Sequence, residues 1–165
     1  MENIFSMEEL LEKVKKLKEN NPTDLSMEED LSIAIMNLVS LEEHFYFTGE
    51  KTGKNEYFNL LIQVREVRKR LMAKMIDQYE GETWCITKHL LATTMRLIEV
   101  GTKLKSSGKD DEAVSTFKDA YEIYHLFWAL RLKLIDVSGI KKIGDGDIPK
   151  TKKEILDRLL DCCKE

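Results

Sequence analysis

The sequence predicts an all-α protein, an up-down antiparallel bundle of four long helices with a short helix at each end of the chain. Only two prolines, Pro22 and Pro149, interrupt the 165 residues. Between them Leu, Ile, Met, Glu and Lys recur at the spacing of three and four residues that is typical of helices. Three hydroxyl residues also stand three positions before a Glu, the arrangement of a capping box at a helix start. These boxes begin at Ser6, Ser26 and Thr151.

The capping boxes and the apolar periodicity together place six helices in one domain that spans residues 1–165. The expected helices are residues 7–19, 27–48, 55–79, 82–105, 111–136 and 151–163. Gly49 is the expected stop of the second helix, and residues 106–109 should turn the fourth helix into the fifth. Residues 137–150 are Gly-rich and are expected to link the bundle to the C-terminal helix. The other connections are short, which favours antiparallel packing of consecutive helices.

Each long helix carries one apolar stripe when its residues are placed at about 100° per residue. The stripes include Ile35 and Leu38, Leu61 and Met75, Leu91 and Leu97, and Phe117 and Phe127. Glu42 and Arg68 also fall on stripes, where an unpaired charge would be costly, so both need partners. Direct pairing requires both long side chains to reach across the hairpin of the second and third helices. A structural charge pair and snorkelling to solvent are the two main interpretations, with a polar pocket as the third.

Composition restricts the class of partner. Acidic residues outnumber basic ones by 30 to 26, whereas general nucleic-acid binding needs a surplus of Lys and Arg on one face. Nucleic-acid binding through the basic third helix, which carries Arg65 and Lys69, remains an alternative. No apolar stretch is long enough to span a bilayer, so no membrane partner is expected. An acidic N-terminus and an odd number of cysteines, three, predict a cytoplasmic protein with reduced thiols.

The stretch GETWCITKHLLA suggests a metal site. Cys85 and His89 are one helical turn apart on the face opposite the apolar stripe, so both could reach one cation. In an antiparallel hairpin His89 lies level with about residue 126, which puts His125 at the right height. Glu82 or Glu122 could supply a further ligand. The hypothesis is a divalent transition metal held by Cys85, His89 and His125, and the alternative is a surface or interface stripe.

From residue 97 to residue 121 the chain reads LIEVGTKLKSSGKDDEAVSTFKDAY. Small and apolar residues recur in order at Gly101, Leu104, Gly108, Ala113, Phe117 and Ala120. With these residues the segment of about 94–127 resembles a single tetratricopeptide repeat, although His125 stands where that family usually has proline. No second copy appears about 34 residues away, as a stacked array requires. The resemblance implies a helical hairpin that takes part in protein interactions, and a convergent hairpin is the other interpretation.

The fifth helix continues its apolar surface beyond the core stripe through Ile123, Leu126 and Leu130. Such a helix must be buried on more than one side, by a terminal helix or by another subunit. Together with the outward Arg96, this surface predicts a non-enzymatic module that binds a protein partner or forms a homo-oligomer without a cofactor. Metal binding and nucleic-acid binding are the alternatives. Nucleophile motifs and Gly-rich phosphate loops, which would indicate an enzyme, do not occur in the sequence.

Overall fold

The computed structural model describes residues 7–20, 25–76, 83–135 and 151. Within these ranges the chain forms five helices and no strand, so the all-α bundle with four long helices is confirmed. The helices are α1 (Met7–Asn20), α2 (Leu25–Thr52), α3 (Glu56–Met72), α4 (Thr83–Ser106) and α5 (Asp110–Arg131). The expected linker at 137–150 lies outside the described residues, as does the expected C-terminal helix at 151–163 apart from Thr151.

The four long helices form two hairpins, α2 with α3 and α4 with α5, which meet along α2 and α4. The hydroxyls of Ser32 and Tyr124 share a hydrogen bond of 2.7 Å, and Arg131 Nη2 donates to Glu28 Oε1 at 2.5 Å. These two contacts place the end of α5 beside the start of α2, so α5 runs antiparallel to α2. Because α4 is antiparallel to α5, the neighbours α2 and α4 run in the same direction.

Helix α1 makes no close backbone approach to any other described helix. Its Lys16 Nζ lies 2.7 Å from Glu12 Oε1, one turn earlier. The hydrogen bond from Lys16, and then the charge of Lys16, lower the pKa of Glu12, against a small opposing effect of desolvation. The local ion pair supports α1 within its own length.

The apolar core lies at the end of the bundle where α2 begins. Its members come from the first half of α2, the end of α3 and the residues after it, the start of α4 and the end of α5. They are Ile35, Met36, Met72, Met75, Ile76, Trp84, Cys85, Leu91 and Phe127. The predicted helix at 55–79 ends at Met72 because the chain tightens there, and the Met72 carbonyl accepts from the amides of both Met75 and Ile76 at 2.9 Å. The tightened turn buries both side chains.

Glycines bring the two helices of each hairpin close together toward the opposite end. The prediction that α2 stops at Gly49 is wrong, since the helix continues to Thr52 and turns at Gly53, which has φ 65°. Gly49 is buried, and a Cβ there would lie 2.8 Å from the ring of Phe58. A Cβ on Gly101 would lie 2.5 Å from the ring of Phe117 in the other hairpin. Both glycines therefore serve helix packing.

Helices α4 and α5 end in the same hydrogen-bonded cap. After α4, the amide of Gly108 donates to Lys105 at 3.1 Å and the amide of Lys109 donates to Leu104 at 3.0 Å. After α5, the amide of Lys133 donates to Leu130 at 3.0 Å, and that of the following residue donates to the Ala129 carbonyl at 2.8 Å. This is the Schellman pattern, which requires a left-handed residue. Gly108 has φ 74°, whereas the same position after α5 is held by Lys133 at φ 54°.

Replacing Lys133 with Gly is expected to raise the free energy of unfolding by about 0.5–1 kcal/mol, because Gly adopts positive φ without the Cβ clash. The reciprocal change Gly108→Ala is expected to lower the free energy of unfolding by about 1 kcal/mol. Urea denaturation followed by circular dichroism measures both. Gln63→Gly, at an exposed position inside α3, is the control and should destabilise by about 1 kcal/mol. A loss of stability in Lys133→Gly equal to that in Gln63→Gly would contradict the cap.

Candidate interaction surface

The structure does not place the three predicted metal ligands in one site. Cys85 is only 2% exposed and belongs to the apolar core, so the expectation that it lies on the outer face of its helix is wrong. The first turn of α4 is embedded in the core end of the bundle, where Thr83 and Trp84 are also buried. A helical wheel assigns Cys85 an angle but does not show that other segments surround this turn.

The two histidines of the metal hypothesis are exposed. His125 packs against Tyr121 on its own helix, with ring centroids 4.0 Å apart. His89 lies on α4 and Glu122 is exposed on α5, while Glu82 lies outside the described residues. Across residues 7–20, 25–76 and 83–135, no three His, Cys, Asp or Glu side chains come together in a group that could hold a metal ion.

The charges predicted to need partners form one buried network. Arg68 Nε donates to Glu42 Oε1 at 2.5 Å, and its Nη2 lies 3.4 Å from Oε2. Arg68 is 1% exposed and Glu42 is 8% exposed, so the expectation of a structural charge pair is confirmed. Sequence reasoning missed Arg65, one turn before Arg68, whose Nε donates to Glu42 Oε2 at 3.0 Å. With both oxygens occupied by guanidinium donors, this carboxylate fixes α3 against α2 and is not placed for acid-base chemistry.

The same contacts reduce the charge that helix α3 offers to nucleic acid. Arg65 is engaged by Glu42, and Lys69 Nζ lies 3.2 Å from Glu66 Oε1. Two cations of the basic run are thus neutralised locally. Phosphate binding depends on such cations being available on one face.

The residues predicted for protein interaction fall in different environments. Arg96 forms an ion pair with Glu43 across the contact between α4 and α2. Leu130 is 7% exposed and contributes to the buried interior, Ile123 is half-buried, and Leu126 is 41% exposed. Of the apolar residues in this set, only Leu126 presents a large accessible surface.

A different set of exposed apolar side chains lies on the α4/α5 hairpin. On α5 Val114, Phe117 and Tyr121 follow the three- and four-residue spacing of one helix face and are 51%, 37% and 62% exposed. The packing of Phe117 on Gly101 brings this row alongside α4, where the adjacent Val100 is 42% exposed. We call Val100, Val114, Phe117 and Tyr121 the hairpin face.

Sequence reasoning assigned Phe117 to the core and did not single out the other members of the hairpin face. The signal was present as a second apolar row on α5, one turn apart at Val114, Phe117 and Tyr121. A buried row and an exposed row have the same periodicity, so the spacing alone did not distinguish them.

No family model matches this chain, and neither do curated proteins or solved structures. Its function is therefore inferred from the fold and from the surfaces of the molecule. In the described part of the chain, no helix is both long enough and apolar enough to cross a membrane.

Proposed function

We propose that this protein is a non-enzymatic interaction module that binds a protein surface through its hairpin face. The observation that carries the proposal is the row of exposed Val114, Phe117 and Tyr121 on one face of α5. Grouped exposed apolar side chains mark interaction sites. Tyr and Phe are enriched in such sites because they supply large contact areas with few rotatable bonds.

The hairpin face is built on helices that are fixed from behind. Phe117 packs on Gly101, and at the core end of the same hairpin Phe127 is fully buried. A surface on packed helices changes shape little on binding, which limits the entropy lost in the complex. The resemblance of residues 94–127 to a tetratricopeptide repeat supports the same type of function.

The protein acts in the cytoplasm and without a cofactor. The location is supported by cysteine usage, since three cysteines are an uneven set for disulfide pairing. Among the described residues, the buried carboxylate of Glu42 is held by two guanidinium groups, which supports a structural role for it rather than a catalytic one.

Affinity capture with the full chain tests the proposal. Wild-type protein is expected to retain a stoichiometric partner, either another protein or further copies of itself, and Tyr121→Ser should reduce its recovery at least about tenfold. Ile62→Ser is the matched control, because Ile62 is a comparably exposed apolar residue, 53%, on α3. Equal loss in both variants, or no self-association and no partner with the wild type, would overturn the proposal.

A further inference from the structure

We infer that the partner of the hairpin face is a second copy of this chain, bound so that the two α5 helices lie antiparallel about a two-fold axis at the level of Ala120. This inference rests on the proposed function and names the partner of the same surface. Charge complementarity of α5 with itself carries it.

The first element of complementarity is the helix dipole. Ala120 lies near the middle of α5 (Asp110–Arg131), so an antiparallel copy about this level places the start of one α5 beside the end of the other and opposes the two dipoles. A two-fold interface needs this kind of self-matching surface, since each patch meets its own copy.

The second element lies beside the hairpin face itself. Lys118 and Glu122 are both exposed and stand one turn apart, two residues on either side of Ala120. An axis at the level of Ala120 therefore puts Lys118 level with Glu122 of the other copy, and it does so twice. Opposite charges in register fix the orientation of two helices and disfavour other arrangements.

The apolar contact lies near the centre of the proposed interface. Tyr121 is the most exposed member of the hairpin face, at 62%, and lies only ~1.5 Å along the helix from the level of the axis. The two copies of Tyr121 would meet near the centre of the contact. Binding energy concentrates in central aromatic residues surrounded by polar ones.

Charge exchange between copies provides a sharp test by sedimentation equilibrium of the full chain. Wild type is expected to dimerise, and Lys118→Glu or Glu122→Lys alone should weaken the dimer at least about tenfold, because each brings like charges together twice. An equimolar mixture of the two variants should recover dimerisation to within about threefold of wild type, since every pair then joins Glu to Lys. If Lys118 and Glu122 interacted only within one helix, mixing the two variants would not restore dimerisation.

Tyr121→Ser should also weaken the dimer at least about tenfold, while Tyr46→Ser, on α2 with Tyr46 47% exposed, should not. Circular dichroism of each variant verifies that the helices are retained. A wild-type monomer at about 1 mM, the weakest affinity worth considering, would overturn the inference. A dimer whose affinity is unchanged by all of these substitutions would also overturn it. So would two charge variants that do not recover dimerisation when they are mixed. If the chain stays monomeric yet a different protein binds through Tyr121, the inference fails and the proposed function stands.

Discussion

Glu42→Ala is expected to lower the free energy of unfolding by about 3–5 kcal/mol, the cost of removing one member of a buried ion pair. Arg68 is 1% exposed and donates to both carboxylate oxygens of Glu42. Removal of the carboxylate takes two hydrogen bonds from this buried guanidinium, whereas Arg65, with its side chain 42% exposed, can turn to solvent. Urea denaturation monitored by circular dichroism measures the loss.

Glu43→Ala is the matched control for the buried network. It removes a neighbouring carboxylate whose ion pair with Arg96 is about half exposed, so its expected cost is at most about 1 kcal/mol. The double variant Glu42→Leu with Arg68→Met should recover much of the stability, because apolar residues replace both buried charges. If Glu42→Ala and Glu43→Ala cost the same, the buried network has no special role in stability.

Phe127→Ala is expected to lower the free energy of unfolding by about 3–5 kcal/mol through lost burial and the cavity that remains. Phe127 is fully buried, and its ring stacks on Tyr124 at a centroid distance of 5.7 Å and packs edge-on against Trp128 at 5.2 Å. Phe47→Ala removes the same side chain at a position 49% exposed and should change stability by about 0.5 kcal/mol or less. Comparable losses in the two variants, measured by urea denaturation, would contradict the assignment of the core to this end of the bundle.

Local periodicity was enough to predict the helices, because an amphipathic stripe is a property of neighbouring residues. Two of the boundaries that were wrong have tertiary causes. Gly49 has the sequence signature of a helix stop, yet its lack of a side chain is used for close contact with Phe58. The end of α3 at Met72 depends on the core, since the chain tightens there and buries Met75 and Ile76.

The candidate site residues also divide into those that the local sequence predicts and those that depend on tertiary packing. Glu42 and Arg68 could be recognised because a charge on a core stripe demands a partner, and their contact follows from that demand. Cys85 could not be placed correctly, because its surroundings come from distant segments of the chain. Exposure of Tyr121 is likewise decided by what other helices leave uncovered, which a single helix does not reveal.

The one-sided position of the apolar core means that resistance to local opening is unevenly distributed along the bundle. Segments near Ile35, Leu91 and Phe127 can exchange their amide hydrogens only when much of the molecule opens. The turns at Gly53 and Gly108 lie in exposed parts of the chain, and a Cβ at either glycine would meet nothing within 4 Å. Local opening is therefore expected to begin at these two turns. There the two helices of a hairpin can separate while the apolar core still holds the two hairpins together.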